Sequence, residues 1–323
     1  MTIKNLDQIE LNFKIKSFKL KDEFKISRVS KKNIQVIDIS LTKNGITILS
    51  ECVPYARYNE NVKDILSYLT GNKSKIEKIL KEDKIKKIPY LCLQNALTSA
   101  MVNILQRENK KRTSRTIKKF TTSITIPIFS LEKTKKILQK FTKTKIIKIK
   151  LNEKEVIPKL YLIKQICPKS KIIIDANESW SKKFLKENIK NLEQFNILLI
   201  EQPFPRGKDY YLKNIQSKLK FCADESFHIK NKNLIRDIKY YDCVNLKLDK
   251  FGTHEQILKY ISIAKKAKKR IMLGCMVSSS LSIYPALRYL PHCDYFDLDG
   301  PYFLKKDRLG GITYQNGLAK INL

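Results

Sequence analysis

From about residue 122 onward, eight short apolar runs recur at intervals of helix length, and this rhythm limits most strongly what the chain can fold into. They read TSITIPI (122–128), TKIIKIKL (144–151), KIIIDAN (171–177), FNILLIEQP (195–203), LKFCADES (219–226), DCVNLKLDK (242–250), KRIMLGCM (269–276) and DYFDLDG (294–300). Nearly continuous apolar strands separated by amphipathic, helix-length stretches indicate parallel strands covered by helices. Eight of them favour a closed barrel of the α/β class over an open sheet. Ahead of this region, residues 8 to about 50 read as a strand meander with a KNG hairpin turn, followed by helical patterns around 61–82 and 90–107.

Composition narrows the function classes. The chain has 323 residues, 42% of them apolar, which suits a globular body with a sizeable core. No run of roughly 18 apolar residues occurs, and the N-terminus MTIKNLDQIELNFKIK lacks the apolar centre of a signal peptide. A cytoplasmic protein with no membrane partner is expected. The formal charge of +34 invites a nucleic-acid reading, but only ten of the 65 cationic residues are Arg. Specific nucleic-acid readers lean on the bidentate Arg fork, so no specific nucleic-acid partner is expected. Seven cysteines without a C-x-x-C pair, and three scattered histidines, offer neither a disulfide framework nor a zinc site.

The polar residues fall where a barrel would use them. Asp175 ends IIID, Glu201 ends LLIE and Asp224 ends FCAD, so three successive strands deliver acids to the C-terminal mouth. Any one of these acids alone reads as a helix N-cap. Three together would repel one another unless a cation sat among them, and an all-oxygen set suits a hard divalent ion, Mg2+ first. Lys148 and Lys150 share one face of TKIIKIKL, and Lys247 lies late in VNLK on the far side of the mouth. Paired ammonium groups beside a divalent cation give a base of lowered pKa. Two lysines facing each other across a metal-bound carboxylate could take a proton from one face of an α-carbon and return one to the other, with an enediolate between the steps.

These residues resemble the enolase superfamily, in its muconate-lactonising-enzyme-like subgroup, and within it the dipeptide epimerases. The resemblance rests on KIK (148–150), DANESW (175–180), EQP (201–203), ADES (223–226), VNLKLDK (244–250), MLGCM (272–276) and DLDGP (297–301), with FKISR (24–28) and ECVPYARY (51–58) ahead of them. It implies a modified (β/α)7β TIM-like barrel (116–300), an N-terminal α+β capping domain (1–115) and a C-terminal segment (301–323) returning to the cap. It further implies Mg2+ on Asp175, Glu201 and Asp224, with Lys150 and Lys247 as the two acid/base catalysts. Lys148 would support the substrate carboxylate, Asp297 and Asp299 the substrate ammonium, and Arg28 the glutamate side-chain carboxylate. The activity implied is two-base 1,1-proton transfer between L-Ala-L-Glu and L-Ala-D-Glu in murein peptide recycling, on a small dipeptide substrate and in a homo-oligomer.

Three stretches depart from the family's pattern. ILSEC replaces a small-Gly pattern before the acid, VSSS (277–280) follows GCM where an acid is frequent, and KFGTH (250–254) replaces a Gly pair. Related activities use the same lysines, namely epimerisation of other dipeptides, N-acyl amino acid racemisation and o-succinylbenzoate synthesis. For the last two Asp297 and Asp299 would have no ammonium to bind. A non-catalytic basic polyanion-binding protein would need none of the metal, lysine and D-x-D positions.

Overall fold

The computed structural model describes residues 9–109 and 117–322, so the first eight residues and the expected boundary at 115/116 lie outside the described residues. The chain opens with an antiparallel sheet of β1 (Ile9–Lys25), β2 (Ser30–Lys43) and β3 (Ile46–Cys52), in that spatial order. The KNG turn joins β2 to β3 in two residues, and Asn44 and Gly45 take φ of 51° and 78°, the left-handed region such a turn requires. Helices α1 (Val62–Lys81) and α2 (Leu91–Glu108) pack on this sheet. Ile37, Ile39 and Leu41 of β2 join the core shared with these helices, whereas Ile34 and Val36, on the alternate face, pack with Met276 and Leu304 of the barrel part. Burial on both faces explains why NIQVIDISL is nearly continuous in apolar residues.

A short strand, β4 (Lys119–Thr121), leads into the barrel. Its strands and helices run β5 (Ile124–Ile126), α3 (Leu131–Leu138), β6 (Ile146–Lys150), α4 (Val156–Ile166), β7 (Lys171–Asp175), α5 (Lys182–Leu192), β8 (Ile197–Glu201), β9 (Phe221–Ala223), α6 (Leu234–Ile238), β10 (Cys243–Lys247), α7 (His254–Lys266), β11 (Arg270–Gly274), α8 (Ser280–Ile283) and β12 (Tyr295–Asp297). All eight strands expected from the sequence are present, in one parallel sheet in chain order. The ring is drawn together where the Ser123 N–H donates to the Phe296 carbonyl at 2.9 Å. The crossover from β8 to β9 carries only a 3₁₀ segment, Asp209–Asn214, in place of an α-helix.

Alternation along the strands separates two cores. Ile172, Ile174, Ile200, Val244, Leu246 and Leu273 belong to the large core shared with the helices. Ile173, Leu199, Cys222, Cys243 and Met272 form a separate cluster that fills the lumen. Two residues further along, the same inward face carries Asp175, Glu201, Asp224, Asn245 and Gly274. The lumen is therefore apolar below and ionic at its mouth.

The C-terminal segment serves both parts. Lys305 N–H donates to the Lys19 carbonyl at 2.8 Å and Leu304 bridges Leu20, so the return to the cap occurs here. The return stops there, because β13 (Thr313–Gln315) and β14 (Leu318–Lys320) pair instead with β4, satisfying the backbone of its free edge. Between these contacts Arg308 bridges Asp38 of β2 and Glu51 of β3, and Glu51 also accepts from Ser279 N–H at 2.9 Å. Two of the departures noted above, SEC and VSSS, thus meet in one polar contact that ties cap to barrel. Among the described residues no helix is long and apolar enough to cross a membrane.

Asp38 and Glu51 are each 3% exposed, so removing their shared cation strands two buried carboxylates. Arg308→Met is expected to cost about 3 kcal/mol and to lower the melting temperature by roughly 5 °C or more. A melting curve within 1 °C of the wild type would show that this contact does not hold the cap.

Candidate active site

Strand register sets the polar side chains at the mouth in rows. Lys150 is the lateral partner of Asp175, and Asp175 of Glu201; on the other side Lys247 partners Gly274, and Gly274 partners Asp297. Asp224 follows β9 directly. Every one of these charged side chains is buried.

Lys148 is the hub. Its ammonium lies 2.6 Å from Glu201 Oε2, 2.7 Å from Asp297 Oδ2 and 3.0 Å from Asp175 Oδ2. Burial works to lower its pKa, but Asp175, Asp297 and Glu201 together raise it well above the ordinary lysine value. Lys150 Nζ meets Asp175 Oδ2 at 2.8 Å and the Asn177 amide oxygen at 3.2 Å. Lys247 Nζ meets Asp224 Oδ2 at 2.7 Å. β6 and β10 are four strands apart in a ring of eight, so Lys150 and Lys247 approach the same cavity from opposite walls.

The acids divide by the cations they face. Burial would raise Asp175, yet Lys148, then Lys150 and Lys247, hold it far below the usual carboxylate range. Asp224 is held low in the same way by Lys247 and Lys250 against its burial. Glu201 is pushed up to about 7, by burial and then by Asp175. Its Oε1 accepts from Asn245 Nδ2 at 2.8 Å, but Oε2 has only the Lys148 ammonium, off the direction of a hydrogen bond.

Asp175, Glu201 and Asp224 give an all-oxygen, fully buried donor set on adjacent strands, with one orphaned carboxylate oxygen. That chemistry fits a hard divalent cation. Among the described residues, no three acidic side chains close on a common point in ligating geometry; the Lys148 ammonium lies among them.

Asp297 accepts from Lys148 and, at 2.8 Å, from Ser123 Oγ, and its pKa is lowered because Lys148 outweighs its burial. Asp299 accepts from the Thr125 N–H at 2.6 Å and is pushed up to about 7 by burial and by Asp297. Both line the cavity. Arg28 is positioned differently from the expectation for it. Its guanidinium is committed to Glu178 Oε2 at 2.7 Å, to Glu225 Oε1 at 2.6 Å and to the Asn177 carbonyl, and it does not line the cavity.

Two further residues support the mouth. Asn245, two positions before Lys247, shares its inward face and holds Glu201; the strand period alone would have found it. Lys250 is fully buried and donates to Asp224 Oδ1, the Asp224 carbonyl and the Asn245 carbonyl, at 2.7, 2.7 and 2.8 Å. It closes the VNLKLDK motif, but nothing in its local pattern indicates that it is buried. In the same KFGTH loop, Gly252 takes φ +80° with Gln94 of α2 packed where a Cβ would stand.

The fold and this mouth define a class of capped barrel protein in which buried lysines stand beside a carboxylate cluster. Residues 133–321 match the family model described as enolase C-terminal domain-like. The chain is 35% identical over 280 residues to an N-acetyl-D-glutamate racemase of Pseudoalteromonas sp, covering 83% of this chain and 87% of that one. It is 30% identical over 302 residues to the L-Ala-D/L-Glu epimerase of Escherichia coli (strain K12), covering 91% and 94%. An enolase family member from Agrobacterium tumefaciens, with homology to dipeptide epimerases and solved with bound sodium and L-Ala-L-Glu, superposes with a TM-score of 0.89. It is 28% identical, over 97% of this chain and 98% of that one. The chain belongs to the enolase superfamily and is an isomerase of its racemase and epimerase class.

A Cβ at Gly274 would collide with the Asn245 amide that holds Glu201. Gly274→Ala is expected to destabilise by about 1–3 kcal/mol, as overpacking does. Adding Asn245→Ala should then cost less than it does in the wild type, because the clash is gone. Strictly additive losses in thermal melts would show that the two side chains do not compete for this space.

Proposed function

We propose that the protein is an Mg2+-dependent dipeptide epimerase that interconverts L-Ala-L-Glu and L-Ala-D-Glu. The observation that carries this reading is the pair Lys150 and Lys247, buried on opposite walls of one cavity. An α-carbon held between them has one lysine over each face. One takes the α-proton and the other delivers a proton from the opposite side, which inverts the centre. Lys148 would steady the substrate's α-carboxylate. Asp175, Glu201 and Asp224 would hold the ion, which when bound would stabilise the negative charge that develops on that carboxylate.

Asp297 and Asp299 favour a substrate with a free ammonium. Asp297 already has Lys148, whereas among the described residues Asp299 has only a neutral hydrogen-bond partner and is the acid a dipeptide's N-terminus would neutralise. A second reading, racemisation of N-acetylglutamate, is supported by the similarity to the Pseudoalteromonas enzyme. It leaves Asp299 without a cation. The first reading carries with it a cytoplasmic location, a homo-oligomeric assembly and recycled murein peptides as the source of substrate.

Incubation with L-Ala-L-Glu and Mg2+ in D2O should exchange the Glu α-hydrogen and yield the D-epimer, and EDTA should stop both. Lys150→Ala and Lys247→Ala should each reduce epimerisation by about 10²-fold or more. Exchange of N-acetyl-D-glutamate but not of the dipeptide would replace the first reading with the second. Full activity in either lysine variant would refute the two-base arrangement.

A further inference from the structure

The cavity between cap and barrel is lined by four ammonium groups, those of Lys31, Lys148, Lys150 and Lys247. Three are ion-paired to the acids of the mouth. Among the described residues Lys31 has no carboxylate partner; its ammonium lies 5.6 Å from the centre of the Tyr55 ring. It is half-buried, and burial lowers its pKa, as expected of a cation without a counter-ion.

Its position follows from the ribbon that roofs the cavity. A tight turn, closed by the Ile26 N–H donating to the Val29 carbonyl at 2.9 Å, sets Lys31 directly across from Phe24. Cross-strand partners project to the same face. Phe24 reaches down to 5.9 Å from the Lys150 ammonium and packs edge-on against Phe303, with ring centres 4.8 Å apart. Lys31 therefore lines the roof next to the Phe24 ring that approaches Lys150. The rest of the roof carries no other charge: Leu20, Ile26, Val29, Ile34 and Val53 are apolar, and Gln35, Tyr55 and Tyr58 are its neutral polar groups. A carboxylate carried up from the α-carbon would meet one cation there. Arg28, in the turn itself, is saturated by Glu178 and Glu225.

We propose that Lys31 is the specificity-determining residue for an anionic side chain, and that it binds the γ-carboxylate of the reacting glutamate. This rests on the function proposed above, and it holds whether the amino group of that glutamate carries L-Ala or an acetyl group. Each charge of L-Ala-Glu then has a partner on a different element: the ammonium at Asp299, the α-carboxylate at Lys148 and the γ-carboxylate at Lys31.

The test compares kcat/KM for L-Ala-L-Glu with that for its neutral isostere L-Ala-L-Gln, in the wild type, Lys31→Met and Lys31→Glu, with N-acetylglutamate and N-acetylglutamine as a parallel pair. In Lys31→Met the Glu/Gln ratio should fall at least about tenfold, chiefly through KM, because the contact is made equally in ground and transition states. Lys31→Glu should invert the preference and gain activity on L-Ala-L-Lys. A ratio within twofold of wild type in a Lys31→Met protein of normal circular dichroism would overturn the inference and leave the function standing. Failure of the wild type on every glutamate substrate would overturn the function, and the inference with it.

Discussion

The Lys148 ammonium is the contact on which the barrel mouth depends. Three carboxylates from β7, β8 and β12 stand within 3.0 Å of it, and it is 2% exposed. Acids packed this closely in a dry site would repel one another or take up protons; a cation delivered by the neighbouring strand lets them stay ionised. Its compensation is incomplete. Glu201, Glu225 and Asp299 are each pushed up to about 7, with burial the largest cause in all three. Those are the places where positive charge is short: one in the carboxylate cluster, one under the Arg28 turn and one beside the D-x-D pair. A mouth built this way has affinity for cations before any particular ligand is considered.

The cap completes that electrostatic arrangement from above. Arg28 spans Glu178 after β7 and Glu225 after β9, and Arg57 adds a second contact to Glu178. The loops that carry two of the acidic strands are thus pinned by the cap. On the far side Arg308 performs the reverse service, a cation from the C-terminal segment holding two acids of the cap. The roof between these clamps is largely apolar apart from Lys31, Gln35 and two tyrosines, and it needs a fixed angle to the mouth to exclude water. Ionic contacts at both ends supply that angle more directionally than apolar packing does.

The barrel was legible in the sequence because its determinants are local. A period of two, apolar runs of about five residues and an acid at the end of three successive runs identify the strands and the mouth without reference to anything distant. The same period separates Lys148 and Lys150 from the isoleucines beside them. What was not legible depends on contacts across the chain. Arg28 reads as a free cation until Glu178 and Glu225 are seen beside it, 150 and 197 residues away. Lys250 and Lys31 are chemically indistinguishable from surface lysines, and only burial separates them. The hairpin of β13 and β14 has ordinary turn chemistry, but its partner β4 lies nearly 200 residues earlier.

The net charge of +34 and an acid-rich active site are compatible because the two obey different physics. Surface lysines on this chain sit in water, where charges more than roughly 8 Å apart are screened at physiological ionic strength and single exposed pairs are worth little. Their number can vary with small effect on the fold. At the mouth, Asp175, Glu201, Asp224, Asp297 and Asp299 are nearly inaccessible, and each has a partner whose position a strand or a clamp fixes. There a single charge cannot be exchanged without stranding another. The bulk composition therefore describes the surface, and the chemistry follows from a handful of buried groups whose balance is set strand by strand.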